Sequence, residues 1–240
     1  MTTQQQIVID RRFNGPPNSG NGGYVSGVLA RGLSGAAAVT LRSPPPLDRP
    51  LDLVCDQGGR RRLLDGERLV GEAQATALDD LEVPPPVSLA EAEAAVQRYR
   101  GFKDHTFGTC FVCGPRRDEG DGLRIFPGQV GDRALVAAPW TPDASLADAD
   151  GLVRSEFVWA ALDCPGAFAV YIEYPDIVTV LGRFEVEVLA PVRAGEPHVV
   201  TGWPIRHDGR KHVAGTALFD RDGRLLGRAR AVWIEIPRTF

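Results

Sequence analysis

The stretch from Arg154 to Tyr171 constrains this chain more than any other. Phe157, Ala160, Ala161, Cys164, Phe168 and Tyr171 recur at helical spacing, while Trp159, Leu162 and Val170 fill much of the opposite side. A helix apolar nearly all round is buried rather than laid on a surface. One carboxylate, Asp163, lies within it. An acid enclosed in that way is paired, protonated or functional. Pro165 follows two residues later, removes a backbone donor and predicts a kink just past Asp163.

Such a helix needs a sheet wide enough to wrap it, and 240 residues supply one large domain or two small ones. The formal net charge of −4 and the absence of a basic stripe with interleaved aromatics argue against a nucleic-acid partner. No uncharged apolar run is long enough to cross a bilayer, so no membrane partner is expected. Met1 to Gln6 carries neither a basic segment nor an apolar signal core. Cys55, Cys110, Cys113 and Cys164 are too few and too scattered for a disulfide scaffold. A reduced, cytoplasmic protein is the expectation.

Read in order, the chain states one pattern twice. Ile7-Val8-Ile9 is a first strand; a loop follows from Phe13 to Asn21, and Gly22 to Leu33 is a helix whose interior glycines imply close approach of another backbone or a ligand. Ala37 to Leu41, Leu51 to Asp56, Arg60 to Leu64 and Leu69 to Leu78 then read as strands separated by turn residues. Pro84-Pro85-Pro86 closes this half, and Ser88-Leu89-Ala90-Glu91 is a capping box opening a short helix through Arg98. In the second half, Leu123 to Phe126 and Arg133 to Ala138 precede the apolar helix as strands. Val178 to Leu189, His198 to Ile205, Val213 to Phe219 and Leu225 to Ile236 follow it. The predicted division is an N-terminal repeat over 1–86, a connector over 87–109 and a C-terminal repeat over 110–240. The class is α+β, each repeat one long helix wrapped by a curved antiparallel sheet.

The repeat resembles a double hotdog, the fold of many acyl-CoA thioesterases and hydratases. The likeness covers most of the chain and is most specific between Cys110 and Ala169. Cys110-Phe111-Val112-Cys113-Gly114, Gly122-Leu123-Arg124-Ile125 and the helix carrying Leu162-Asp163 are similar to phenylacetyl-CoA-type thioesterases. In that family a Cys-Phe-x-Cys-Gly opening is often followed by Gly-Leu, a strand, a His-Gly-Gly helix start and an acid within the helix. Here the acid falls on Asp163, and the His-Gly-Gly position holds Arg154-Ser155-Glu156. In the first half Asn21-Gly22-Gly23 resembles the helix start, and Ala30 stands at the acid position with the same spacing.

The resemblance therefore implies one complete site, made of Gly22, Gly23 and Asp163, and one dead site, made of Arg154 to Glu156 and Ala30. Its expected activity is hydrolysis of an acyl-CoA or related thioester without a cofactor. Asp163 would be catalytic; Asn21, Gly22, Gly23, Tyr24 and Trp159 would bind substrate. N–H groups at a helix start free of side chains can hold a thioester oxygen as it gains charge, and a carboxylate in a dry slot can activate water or attack. The family often has a hydroxyl residue one turn after the acid, where this chain has Ala167. A non-catalytic acyl- or acyl-CoA-binding protein is the alternative. A homo-oligomer formed by edge-to-edge sheet pairing is open.

Other motifs carry less. Cys110 and Cys113 have the spacing of a zinc knuckle, and His105 lies upstream, but no second Cys pair exists and Cys164 would have to be recruited from afar. No metal is expected; the reading is of buried thiols bracing the start of the second half. His198, His207 and His212 read as surface residues of the last sheet. No Gly-x-Ser-x-Gly elbow is present, which disfavours an α/β-hydrolase esterase.

Overall fold

The computed structural model describes residues 3–238. The first half contains β1 (Thr3–Val8), α1 (Gly22–Ala30), β2 (Ala37–Leu41), β3 (Pro50–Cys55), β4 (Arg61–Asp65) and β5 (Arg68–Ala75). Next come α2 (Leu89–Val96), β6 (Gly128–Gln129), β7 (Val136–Trp140), α3 (Ser155–Ala161) and α4 (Cys164–Glu173). Four long strands finish the chain: β8 (Val178–Val188), β9 (His198–Asp208), β10 (Lys211–Asp220) and β11 (Leu225–Ile236).

All eleven strands join one antiparallel sheet in the order β1-β3-β4-β5-β2-β8-β11-β10-β9-β7-β6. The first five follow the order first, third, fourth, fifth, second. From β7 inward to β8, the last five strands of the chain follow the same order: first, third, fourth, fifth, second. The two runs meet where β2 pairs with β8, from Ala37 opposite Val186 to Thr40 opposite Arg183. At the outer ends, β1 is a six-residue strand, whereas β6 has two residues.

α1, α3 and α4 share the main apolar core, α2 packs in a second cluster with Ala137, Val199, Ala217 and Phe219, and α1 packs directly on α3. Their contact is close because glycine makes it so. A Cβ on Gly23 would stand 2.5 Å from the Asp163 Cβ, and one on Gly27 would stand 2.5 Å from the Glu156 Cα. The pairing of Gly23 with Asp163 and of Gly27 with Glu156 shows that the two helices run antiparallel. The glycine residues that weaken α1 as an isolated helix are therefore what lets it approach its neighbour.

The long apolar helix is two helices, divided at Asp163. Pro165 sits in the first turn of α4 and has no N–H to give to the preceding turn. The Gly166 N–H turns to the Asp163 carbonyl at 3.1 Å, and the Leu162 carbonyl, released from the helix, accepts from Thr216 Oγ1 at 2.7 Å. The break thus leaves no buried carbonyl stranded at Leu162.

Several sequence expectations are corrected. Leu123 to Phe126 is not a strand. Arg124 adopts a left-handed backbone at φ 52°, which ends any extended run. The Leu123 and Ile125 N–H groups instead donate to the carbonyls of Phe111 and Val112 at 2.8 and 2.9 Å. α1 stops at Ala30, since Arg31 leaves the helical region at ψ 126° and Gly32 is left-handed at φ 76°. β5 ends at Ala75, and Leu78 leaves the sheet to pack with Leu81 and Val87 in a second apolar cluster against Val199 and Phe219. His198 and His212 are buried, not at the surface; His198 lies 6.1 Å from the Trp140 ring and His212 4.7 Å from the Tyr174 ring. Burial holds His198 below its ordinary pKa. No helix among the described residues is long and apolar enough to cross a membrane.

Candidate active site

The start of α1 is built by Asn21. Its side-chain oxygen accepts from the Tyr24 N–H at 2.9 Å, which caps the helix. Its side-chain nitrogen donates to Asp163 Oδ2 at 2.9 Å. The Gly23 N–H donates to the same oxygen at 3.0 Å. One residue of the first half thus starts a helix and fixes the acid of the second half. The Gly22 N–H, at the same helix start, has no acceptor among the described residues.

Asp163 is only 2% exposed, and its second oxygen, Oδ1, has no partner. Burial pushes its pKa up to about 7, against the opposing pull of the Gly23 and Asn21 hydrogen bonds. The result is a carboxyl group fixed by one oxygen and free at the other, with a proton affinity suited to exchange near neutrality.

That group lines a cavity of about 300 Å³. Asn21, Gly22 and Cys164 lie around it, and the apolar wall includes Leu181, Phe168, Tyr171 and Trp233. Residues of both halves therefore enclose one space. Arg42 and Arg100 also line it. Arg42 pairs with Glu72 at 2.6 Å, and Arg100 lies over the Tyr171 ring at 5.2 Å. Ala167 lines the cavity, and the hydroxyls of Tyr171 and Thr179, 3.0 Å apart, lie on its wall.

Sequence reasoning placed Asn21, Gly22, Gly23 and Asp163 together, and they are together. It also assigned substrate contacts to Tyr24 and Trp159, and neither lines the cavity. Tyr24 stacks on Phe13 at 4.1 Å and lies 5.6 Å from Phe157. Trp159 meets Phe184 edge-on at 5.7 Å. Both pack the core, Trp159 with its Cβ on the face of α3 that meets α1 at Gly27. A second difference concerns Gly23: its N–H is engaged by Asp163, which leaves Gly22 to meet a ligand. The wall residues Leu181, Tyr171 and Trp233 were not identified beforehand. Their alternation on strands or position on a helix marks burial, and burial alone does not tell a cavity wall from a core.

The pseudo-equivalent place at the other end of the helix pair is closed. The Glu156 carboxylate is buried and pairs with Arg31 at 2.6 Å, with Arg154 farther away at 3.8 Å. Arg154 also lies over the Phe157 ring at 4.8 Å. An ion pair stands there in place of a free helix start, and Ala30 offers no acid.

The zinc-knuckle residues lie in the same cavity wall. Cys110, Cys113 and Cys164 bring their sulfurs within 4.8 Å of one another, with Cys110 and Cys164 3.8 Å apart. The break at Asp163 makes this possible by placing Cys164 at the first position of α4. Hydrogen bonds from the Cys113 and Cys164 thiols, then from the Cys113 and Val112 N–H groups, hold the Cys110 thiol well below its ordinary pKa. The loop is braced by the Gly114 N–H on the Cys110 carbonyl at 2.9 Å and by Tyr99 Oη on the Cys113 carbonyl at 2.6 Å.

No protein-family model and no curated protein matches the sequence. Solved structures do match the fold. The TesB protein of Mycobacterium avium subsp. paratuberculosis has a TM-score of 0.63 at 14% identity, covering 98% of this chain and 93% of that one. The acyl-CoA thioesterase II TesB2 of Mycobacterium marinum has a TM-score of 0.61 at 10% identity, covering 97% and 93%. A conserved protein of unknown function with a hotdog fold from Alicyclobacillus acidocaldarius has a TM-score of 0.61 at 10% identity, covering 98% and 93%. At these identities the likeness establishes the fold alone: this chain has a hotdog fold over nearly its whole length.

Proposed function

We propose that the chain is a thioester hydrolase acting on acyl-CoA or a related thioester at one composite site. The observation that carries this reading is Asp163, fixed through one oxygen to Asn21 and Gly23 while its other oxygen stands unpartnered in an apolar cavity. In this scheme the thioester carbonyl oxygen lies on the Gly22 N–H at the positive end of α1. Ionised Asp163 takes a proton from water at Oδ1 as the oxygen of that water adds to the carbonyl carbon. The tetrahedral adduct then collapses, the C–S bond breaks, and the proton passes to the departing thiolate. The acyl group occupies the space beside Phe168, Tyr171 and Leu181, and Arg42 and Arg100 offer charge to a phosphate-bearing arm.

The architecture that supports this scheme is a double hotdog, with repeats over 1–86 and 110–240 joined by the connector 87–109. Each repeat gives the site one part: a side-chain-free helix start from the first, an acid from the second. A purely binding role is the second reading. It is favoured by the engagement of the Gly23 N–H with Asp163, which leaves one donor for the oxyanion.

Release of CoA across a panel of acyl-CoA esters separates the two. Hydrolysis is expected for at least one acyl class, with Asp163→Asn slower by about 100-fold or more, as for loss of a general base. A non-hydrolysable acyl-CoA analogue is expected to bind once per chain by calorimetry. Wild-type rates in Asp163→Asn, or two equivalent sites per chain, refute the assignment.

A further inference from the structure

We propose that Cys110, Cys113 and Cys164 form a binding site for one zinc ion on the cavity wall. The three sulfurs already lie within 4.8 Å of one another. Zinc with ~2.3 Å bonds to sulfur in a tetrahedron separates its thiolates by roughly 3.8 Å, so the cluster needs to close by about 1 Å at most. The Cys110–Cys164 pair already stands at 3.8 Å.

The surroundings are those of a thiolate site. The Asn21 side-chain nitrogen lies 3.8 Å from the Cys110 sulfur. Such a donor orients a metal-bound thiolate and offsets its charge. Tyr99 and Gly114 hold the loop that carries the first two ligands. The third ligand arrives on α4, so the metal would tie the start of the second half to the helix break.

Neither Asp163 nor His105 brings an atom into the three-sulfur grouping. The fourth position therefore opens toward the cavity and takes a water or another small donor. Three protein ligands with one open position is the arrangement of reactive zinc centres, whereas closed structural sites use four. Binding would release the thiol protons to solvent as the sulfurs become thiolates. This inference does not rest on thioester hydrolysis, and its readouts are independent of it.

The test uses the full chain carrying Cys55→Ser, which removes the half-exposed thiol outside the cluster. The protein is reduced, stripped with a chelator, and titrated with cobalt(II) chloride alone and then with zinc sulfate in competition. One cobalt per chain is expected, with a near-ultraviolet thiolate-to-cobalt band that zinc abolishes. Cys164→Ser is expected to weaken uptake by more than tenfold. X-ray absorption on the zinc-loaded chain with all three thiols intact is expected to count three sulfurs at about 2.3 Å. That measurement does not depend on a variant folding. No cobalt band, two or fewer sulfurs, or uptake unchanged in a folded Cys164→Ser variant overturns the proposal. So does a Cys110–Cys164 disulfide in air-purified protein that, once reduced, takes up no metal.

Discussion

Gly27→Ala tests whether the α1–α3 contact sets the site. The added methyl would stand 2.5 Å from the Glu156 Cα, 2.9 Å from the Trp159 Cβ and 3.1 Å from the Glu156 Cβ. None of these is the loose end of a flexible side chain, so relief requires the helices to part by close to an ångström. Overpacking of this kind costs about 1–3 kcal/mol, and the upper part of that range applies where backbone must move. Replacing glycine by alanine inside a helix returns up to about 1 kcal/mol. The net loss is about 1–2 kcal/mol. For a chain of this size that lowers Tm by roughly 2–8 °C, measured by calorimetry beside wild type. The parting also shifts Asp163 against the start of α1, one turn away. A displacement near 1 Å can cost about 100-fold in rate, so CoA release should fall by about 10-fold or more even where the variant is fully folded. A Gly27→Ala protein as stable and as active as wild type would refute both the contact and its role in placing the acid.

Three further outcomes follow from particular contacts. Arg31→Ala leaves the buried Glu156 carboxylate with only the distant Arg154, and should cost roughly 3 kcal/mol in chemical denaturation; adding Glu156→Ala should recover part of the loss, because the stranded charge is then removed. Equal stability of Arg31→Ala and wild type would mean that Glu156 is not held as described. Ser26→Ala should stabilise by about 1 kcal/mol, since the Ser26 hydroxyl is buried in α1 without a partner. A destabilised Ser26→Ala would show that this hydroxyl has a partner in solution.

How far the sequence reached depends on the range of the interaction involved. The α2 start was legible because its capping box is contained within four residues: Ser88 Oγ accepts from the Glu91 N–H at 3.3 Å, and Glu91 accepts from the Ser88 N–H at 3.0 Å. The bounds of β11 were legible because turn residues precede it and the apolar run fills it. Leu123 to Ile125 was misread because nothing local announces a left-handed arginine. The joining of Asn21 to Asp163 came from matching the two halves, not from local pattern. Cys164 was assigned to a helical face, and only the break at Asp163 turns it to the knuckle. Tyr24 shows the opposite limit: an aromatic beside a site residue in sequence points elsewhere once the helix is formed, because successive residues diverge around its axis.

The two ends of the sheet differ in what they can accept. At one end β1 presents an unpaired row of N–H and carbonyl groups over six residues; at the other, β6 is two residues long. A strand that short offers too little ladder for another chain to extend. The long edge belongs to the first half of the chain and the short one to the second, so the two ends of the sheet differ in how much backbone they leave for pairing.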